Sequence, residues 1–165
     1  MNGTSMTSTR PTRDKALMQV AGVFATRSTC SRAHVGVVIA RDGRILSTGY
    51  NGAPAGMDHC DHSNEYNITL DPIAHKEMYG SAGKPPDPGC KVAVHAEANA
   101  IAYAAQHGIK LDGADLYSTY MPCLACAQLV INAGIRRVLV RTLYRDRSGM
   151  RLLQDALIDI MVLDD

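Results

Sequence analysis

The stretch Ala114 to Leu143, ADLYSTYMPCLACAQLVINAGIRRVLVRTL, decides the fold. Ala114–Tyr120 reads as a strand, Cys123–Ala133 as a helix and Arg137–Leu143 as a second strand. Downstream the alternation continues with a helix over Met150–Leu157 and a strand over Asp159–Leu163. Upstream, a helix is predicted near His95–His107. Before it, the β-branched run His34–Ala40 reads as a buried strand, Arg41-Asp42-Gly43 as a turn and Arg44–Tyr50 as the antiparallel partner. A first helix is predicted from Thr12 to Arg27, where Ala16, Val20, Val23 and Phe24 recur at helical spacing. Strands alternating with helices imply an α/β protein whose sheet is covered by helices on both faces.

Between these elements, Asn51 to Gly89 is rich in Gly, Pro, Asn, Asp and His and reads as a long insertion, which in a compact domain needs an anchor or a function. Residues 1–11 read as a flexible leader, and 12–165 as a single domain with an insertion at about 52–90. A length of 165 residues suits one domain and one active site.

Hydrophobic residues make up 46% of the chain and charged residues 20%, with a net charge of +1. That balance lacks the basic field a nucleic-acid polymer needs, and Phe24 is the only Phe while Trp is absent, so no nucleic-acid partner is expected. Local arginines in Arg27–Arg32 and Arg136–Arg147 still suit a phosphate. No apolar run approaches the roughly 18 residues of a membrane span, and no signal core follows the N-terminal charges. The expected location is therefore cytoplasmic, or the host cytoplasm for a phage-encoded chain. Five cysteines, Cys30, Cys60, Cys90, Cys123 and Cys126, are an odd number without an export signal, which favours metal binding over disulfides.

Two short motifs carry the chemistry: His95-Ala96-Glu97 and Pro122-Cys123-Leu124-Ala125-Cys126, each opening a predicted helix. A catalytic zinc takes three protein ligands and leaves its fourth position open, which one His and two Cys satisfy. At a helix start both sulfurs of Cys-x-x-Cys can face one ion, and the positive helix end favours thiolates. Glu97 is then free to shuttle protons during hydrolytic deamination of an amidine-like ring carbon. Alone, Cys-x-x-Cys fits a redox dithiol or half a structural zinc site equally well, and a lone His-x-Glu means little. Together they form the signature of zinc deaminases.

With these motifs the chain resembles the cytidine-deaminase superfamily, specifically its deoxycytidylate (dCMP) deaminase branch of bacteria and phages and the competence-associated deaminases. The resemblance runs from about Ala16 to the C-terminus. It also rests on Arg27-Ser28-Thr29-Cys30-Ser31-Arg32, Val35–Val38, Ser47–Gly56 and Asn132–Ile135. It implies a three-layer α-β-α sandwich around a five-stranded mixed sheet, and hydrolysis of dCMP to dUMP and ammonia for thymidylate synthesis. Asn51 is implied to hold the sugar hydroxyl and Tyr144 to lie beside the nucleotide, with Ala96 and Thr119 also at the substrate. Ser28, Arg27 and Arg32 are implied at the phosphate, His34 and Lys91 being weaker candidates. The plain reading of Gly49, Gly52 and Gly56 is that they let the chain turn, and Gly52, Ala53, Pro54 and Gly56 are the candidates for a regulatory role. In the family their block resembles part of a dCTP/dTTP regulatory site, which would involve Mg2+ and a homo-oligomer, commonly a hexamer.

Phage and competence-type relatives also carry a second, structural zinc, and Cys30, Cys60 and Cys90 match its positions. Inert core cysteines are the plain alternative. A closed site needs a fourth ligand. His75 is preferred, with His62 as the alternative, since His59 is the immediate neighbour of Cys60. Other functions stay open: a deaminase of 5-modified dCMP or CMP, or a non-catalytic zinc-stabilised deoxynucleotide-binding module.

Overall fold

Val37 and Ile39 point to one side of the chain and Val38 and Ala40 to the other, yet all four are at most 2% exposed. A strand with period-2 side chains and no solvated face must lie inside a sheet covered on both sides. The computed structural model, which describes residues 10–30, 33–57, 93–143 and 146–163, places it there. In chain order come α1 (Arg13–Ala25), β1 (Gly36–Arg41), β2 (Arg44–Tyr50), α2 (Ala96–Gln106), β3 (Asp115–Tyr120), α3 (Leu124–Asn132), β4 (Arg137–Thr142), α4 (Ser148–Asp155) and β5 (Asp159–Val162). The five strands form one sheet in the order β2-β1-β3-β4-β5. β1 pairs antiparallel with β2 and β3, whereas β3–β4 and β4–β5 are parallel. This is the α/β architecture with a five-stranded mixed sheet that the sequence implied.

The two faces have separate cores. Val37, Ile39, Leu116, Val138 and Val140 meet α2, α3 and α4 through Ala96, Ala100, Ala104, Ala127, Val130 and Leu153. On the other side, Val38, Ala40, Tyr117 and Leu139 meet Leu17, Met18 and Ala21 of α1. Successive crossovers β3-α3-β4 and β4-α4-β5 share one hand, which puts both connecting helices on one face. Ala96, Ala100 and Ala104 recur every four residues, so α2 lies close on the sheet along its whole length.

Local chemistry sets the element ends. Thr12 caps α1 by accepting a hydrogen bond from the Lys15 N–H (3.2 Å). The hairpin turns at Asp42 (φ 54°) and Gly43 (φ 78°), the pair of positive values that a tight two-residue connection requires. Two element starts differ by two residues from the sequence reading. β1 begins at Gly36 rather than His34, because the Asn51 side chain takes up the Val35 N–H and the Ala33 carbonyl in place of strand bonds. α4 begins at Ser148 rather than Met150, because the Asp146 carboxylate accepts from the Ser148 N–H (2.8 Å) and turns the chain early. No helix among the described residues is long and apolar enough to cross a membrane.

An ion-pair cluster fastens α1 to the first residues of β3 and β4. Asp14 accepts from Tyr117 Oη (2.7 Å) and from Arg137 Nη1 and Nη2 (3.1 and 3.0 Å). Arg137 Nη2 also donates to Asp115 (2.8 Å), which pairs in addition with Arg136. Burial pushes the Asp14 carboxyl up, but Tyr117 and Arg137 together hold it below the usual carboxylate range. A depressed carboxylate adds stability above its unfolded pKa of about 4 and loses it as pH falls through the lower folded value. We therefore expect Asp14→Asn to destabilise the fold by about 2 kcal/mol at pH 7 in urea unfolding, with the gap to wild type closing below about pH 4.

Candidate metal centre and active site

His95 and Cys123 are the N-cap residues of α2 and α3, with extended backbones (φ −71°, ψ 152° and φ −69°, ψ 173°). A cap side chain normally turns back to bond the helix's own N–H groups. Neither does so here, and both turn toward each other instead. His95 Nδ1 lies 3.5 Å from Cys123 Sγ and 3.4 Å from Cys126 Sγ, and the three ligand atoms all fall within 4.8 Å of one another. Zinc bonds of about 2.0 Å to nitrogen and 2.3 Å to sulfur at tetrahedral angles give an N···S edge of about 3.5 Å. The cluster therefore has the donor set and spacing of a three-ligand zinc centre, and it is the one such grouping found among the described residues.

Protonation at the cluster is unequal. The Cys123 thiol is pulled down to about 4, first by the hydrogen bond from Cys126 and then by that from His95. Cys126 is pushed up, by its bond to Cys123, by burial and by the nearby Glu97 carboxyl. His95 is raised chiefly by its bond to Cys123. Crowding around one thiolate thus concentrates negative charge where a cation would sit. Glu97, two residues past His95, is only 3% exposed, and burial raises its carboxyl above the ordinary range. Such a group holds a proton nearer neutrality than a surface carboxylate does, as a shuttle requires.

The backbone between Cys30 and Gly36 is clamped by side chains. Asn51 is buried; its Oδ1 accepts from the Val35 N–H and its Nδ2 donates to the Ala33 carbonyl, both at 2.8 Å. Thr119 Oγ1 accepts from the Gly36 N–H (3.1 Å). Ser28 is buried, accepts from the Cys30 N–H (3.3 Å) and makes a long bond to the Ala33 carbonyl (3.5 Å). Cys30 is buried and close enough to His95 for its charge to be felt there. Gly52 exchanges backbone hydrogen bonds with Val94 (3.2 and 2.8 Å), which brings the Tyr50–Gly52 segment alongside His95.

Of the residues singled out by sequence, Glu97 and Cys30 lie near His95 and Gly52 bonds its neighbour Val94, whereas Ser28, Asn51 and Thr119 are tied to the backbone between Cys30 and Gly36. Ala96, the first residue of α2, is wholly buried. Arg27 is exposed, Ala53 and Pro54 are half-buried, and Gly56 is exposed with φ 82°. Arg32, Cys60, His62, His75, Cys90, Lys91 and Tyr144 lie outside the described residues. Two residues that seat α2 went unread in the sequence: Ser47 Oγ donates to the Ala100 carbonyl (2.6 Å) and Asn99 Nδ2 to the Tyr50 carbonyl (2.8 Å). The signal for Asn99 was an amide in the middle of an alanine-rich helix.

The model of the cytidine and deoxycytidylate deaminase zinc-binding region matches residues 11–142. The chain is 40% identical over 129 residues to a deoxycytidylate deaminase of Mycobacterium phage D29, spanning 78% of this chain and 94% of that protein. It is 36% identical over 121 residues to ComE operon protein 2 of Bacillus subtilis (strain 168), spanning 73% and 54% of the two chains. Among solved structures it is similar to the dCMP deaminase of cyanophage S-TIM5 in complex with dCMP and dUMP. There the TM-score is 0.72, with 27% identity over 94% of this chain and all of that one.

His95→Ala is expected to remove one bound metal ion per chain while the far-UV circular dichroism stays that of the wild type. In cobalt-loaded protein, the thiolate-to-metal absorption lost in that variant identifies this site.

Proposed function

The chain belongs to the cytidine and deoxycytidylate deaminase zinc-binding family, and from that premise we propose that it hydrolyses dCMP to dUMP and ammonia. The observation that carries the reading is the convergence of His95, Cys123 and Cys126 beside the buried Glu97 carboxyl. Further support comes from likeness to a phage enzyme solved with dCMP and dUMP.

His95, Cys123 and Cys126 are the residues that would hold zinc. When bound in a three-ligand site, zinc supplies Lewis acidity that brings the pKa of water toward about 7. Glu97 receives a proton from the attacking water, delivers one to ring nitrogen N3, and passes the next to the amine leaving C4. Water adds to C4, the C4–N4 bond breaks, and the net change is dCMP plus water to dUMP plus ammonia. Burial keeps bulk water from competing for the carboxyl's proton. Asn51, already aligned by its bonds to residues 33 and 35, is assigned the sugar hydroxyl through its remaining donor and lone pair. Ala96, Thr119 and Tyr144 are assigned to the base and sugar. Ser28, Arg27 and Arg32 are assigned to the 5′-phosphate, for which guanidinium forks are well suited.

Supply of dUMP for thymidylate synthesis fits this reaction. In the same reading, Gly52, Ala53, Pro54 and Gly56 contribute to a dCTP/dTTP site with Mg2+ in a homo-oligomer. Cys30, with Cys60, Cys90 and His75 or His62, binds a second zinc that anchors the insertion.

Glu97→Ala should keep its zinc and lower ammonia release from dCMP by on the order of 10²- to 10⁴-fold, the usual worth of a general acid–base group; unchanged release would contradict the assignment. Wild-type protein should process dCMP over deoxycytidine by on the order of 10- to 100-fold in kcat/KM, since one charge-assisted hydrogen bond to phosphate is worth about 1.5–3 kcal/mol. Cys60→Ala should lower zinc content from about two ions per chain to about one, as a four-ligand structural site would require.

A further inference from the structure

Each ligand-bearing turn is pressed against a neighbouring element at a glycine. Gly49 of β2 lies beneath α2, where a Cβ would stand 2.2 Å from the Ala96 carbonyl oxygen, 2.8 Å from Ala100 N and 3.1 Å from Ala100 Cβ. Gly149, in the first turn of α4, would put one 2.2 Å from the Pro122 carbonyl oxygen, 2.8 Å from the Cys123 carbonyl carbon and 2.9 Å from its oxygen. Non-bonded heavy atoms pack at about 3.5–4.0 Å, so the nearest approach at each glycine, 2.2 Å, is short by more than an ångström. The nearest atoms in the way are backbone and cannot swing aside as the end of a long side chain does.

Neither glycine adopts a positive φ, so backbone conformation does not require them. Helix propensity favours Ala over Gly by about 1 kcal/mol in a helix interior, which makes Gly149 locally unfavourable within α4. Only the close approach excludes a side chain. The segments approached are also particular ones. Ala96 sits between His95 and Glu97, and Cys123 is itself a candidate ligand with Cys126 one turn beyond. α2 is further held in its seat by the Ser47–Ala100 and Asn99–Tyr50 bonds, so it cannot tilt away without breaking them.

We propose that Gly49 and Gly149 are positioning residues for the metal centre: by letting α2 rest on β2 and α4 rest on the Pro122–Cys123 turn, they set the distance between His95 and the two cysteines. A methyl group at either position displaces one side of the cluster relative to the other. The inference rests on the metal-centre reading above.

The test compares wild type, Gly49→Ala, Gly149→Ala and Leu153→Ala. Leu153 is fully buried in α4, so its truncation loosens that helix without filling the gap at Gly149. Zinc affinity is measured by competition with a chromophoric chelator, and ligand geometry by the cobalt absorption that His95→Ala removes. Both glycine variants should fold, bind zinc on the order of 10- to 100-fold more weakly and show an altered cobalt band, as expected when the support of a metal ligand is disturbed. Leu153→Ala should lose thermal stability yet keep the wild-type affinity and band.

A glycine variant with wild-type affinity and band overturns the proposal. So does a Leu153→Ala variant that weakens zinc equally, because general loosening would then be the cause. A glycine variant that cannot fold at saturating zinc also overturns it, since that glycine is then a determinant of the fold. A wild type that binds no zinc refutes the metal-centre reading itself.

Discussion

Three ligand atoms within 4.8 Å of one another must be delivered by two turns whose nearer residues, His95 and Cys123, are 28 positions apart. The order α2-β3-α3 makes this possible. α2 feeds β3 and runs back against it, so its N-terminus lies where β3 ends; α3 begins at that same end. Both helices therefore aim their N-terminal, positive ends at one point, where thiolates are favoured and a buried carboxyl can be tolerated. The sheet keeps that point fixed because β3 is central, paired on one side with β1 and on the other with β4.

The opposite end of β3 is held by different physics. There Asp115, Asp14, Arg136 and Arg137 form a charge-compensated cluster that ties α1 to β3 and β4. Six strand residues at about 3.3 Å each separate the two ends by roughly 20 Å. One end is thus secured by ion pairs complete within the chain, whereas the other gathers sulfur, imidazole and carboxyl groups whose mutual crowding shifts every one of their pKa values. The second arrangement has the donor set that a zinc ion would take.

The layers were legible because period and burial agree: Val37–Ala40 and Val138–Val140 are uniformly apolar, and the intervening segments have helical spacing. The candidate ligands were legible because zinc constrains residue type and spacing within each short motif. Other features depend on approach across the fold, which one-dimensional spacing does not carry. Gly149 looks like an ordinary loop glycine until α4 is seen against Cys123. Asn51 looks like a sugar contact alone until its amide is seen clamping Ala33 and Val35. Asp14 and Arg137, 123 positions apart, carry no local signal for their ion pair. Strand and helix starts shifted by two residues at Gly36 and Ser148 for the same reason, since side chains from elsewhere in the fold or from the preceding turn satisfied the backbone first.

The central claim is that metal at His95, Cys123 and Cys126 turns this chain into a dCMP hydrolase. Titrating metal-free protein with zinc while following both site occupancy and conversion of dCMP to dUMP tests it most directly. Activity should be absent at the start, rise in proportion to filling of the His95 site and level off when that site is full. Turnover that is undiminished without zinc, or full occupancy with no dUMP formed, would contradict the account.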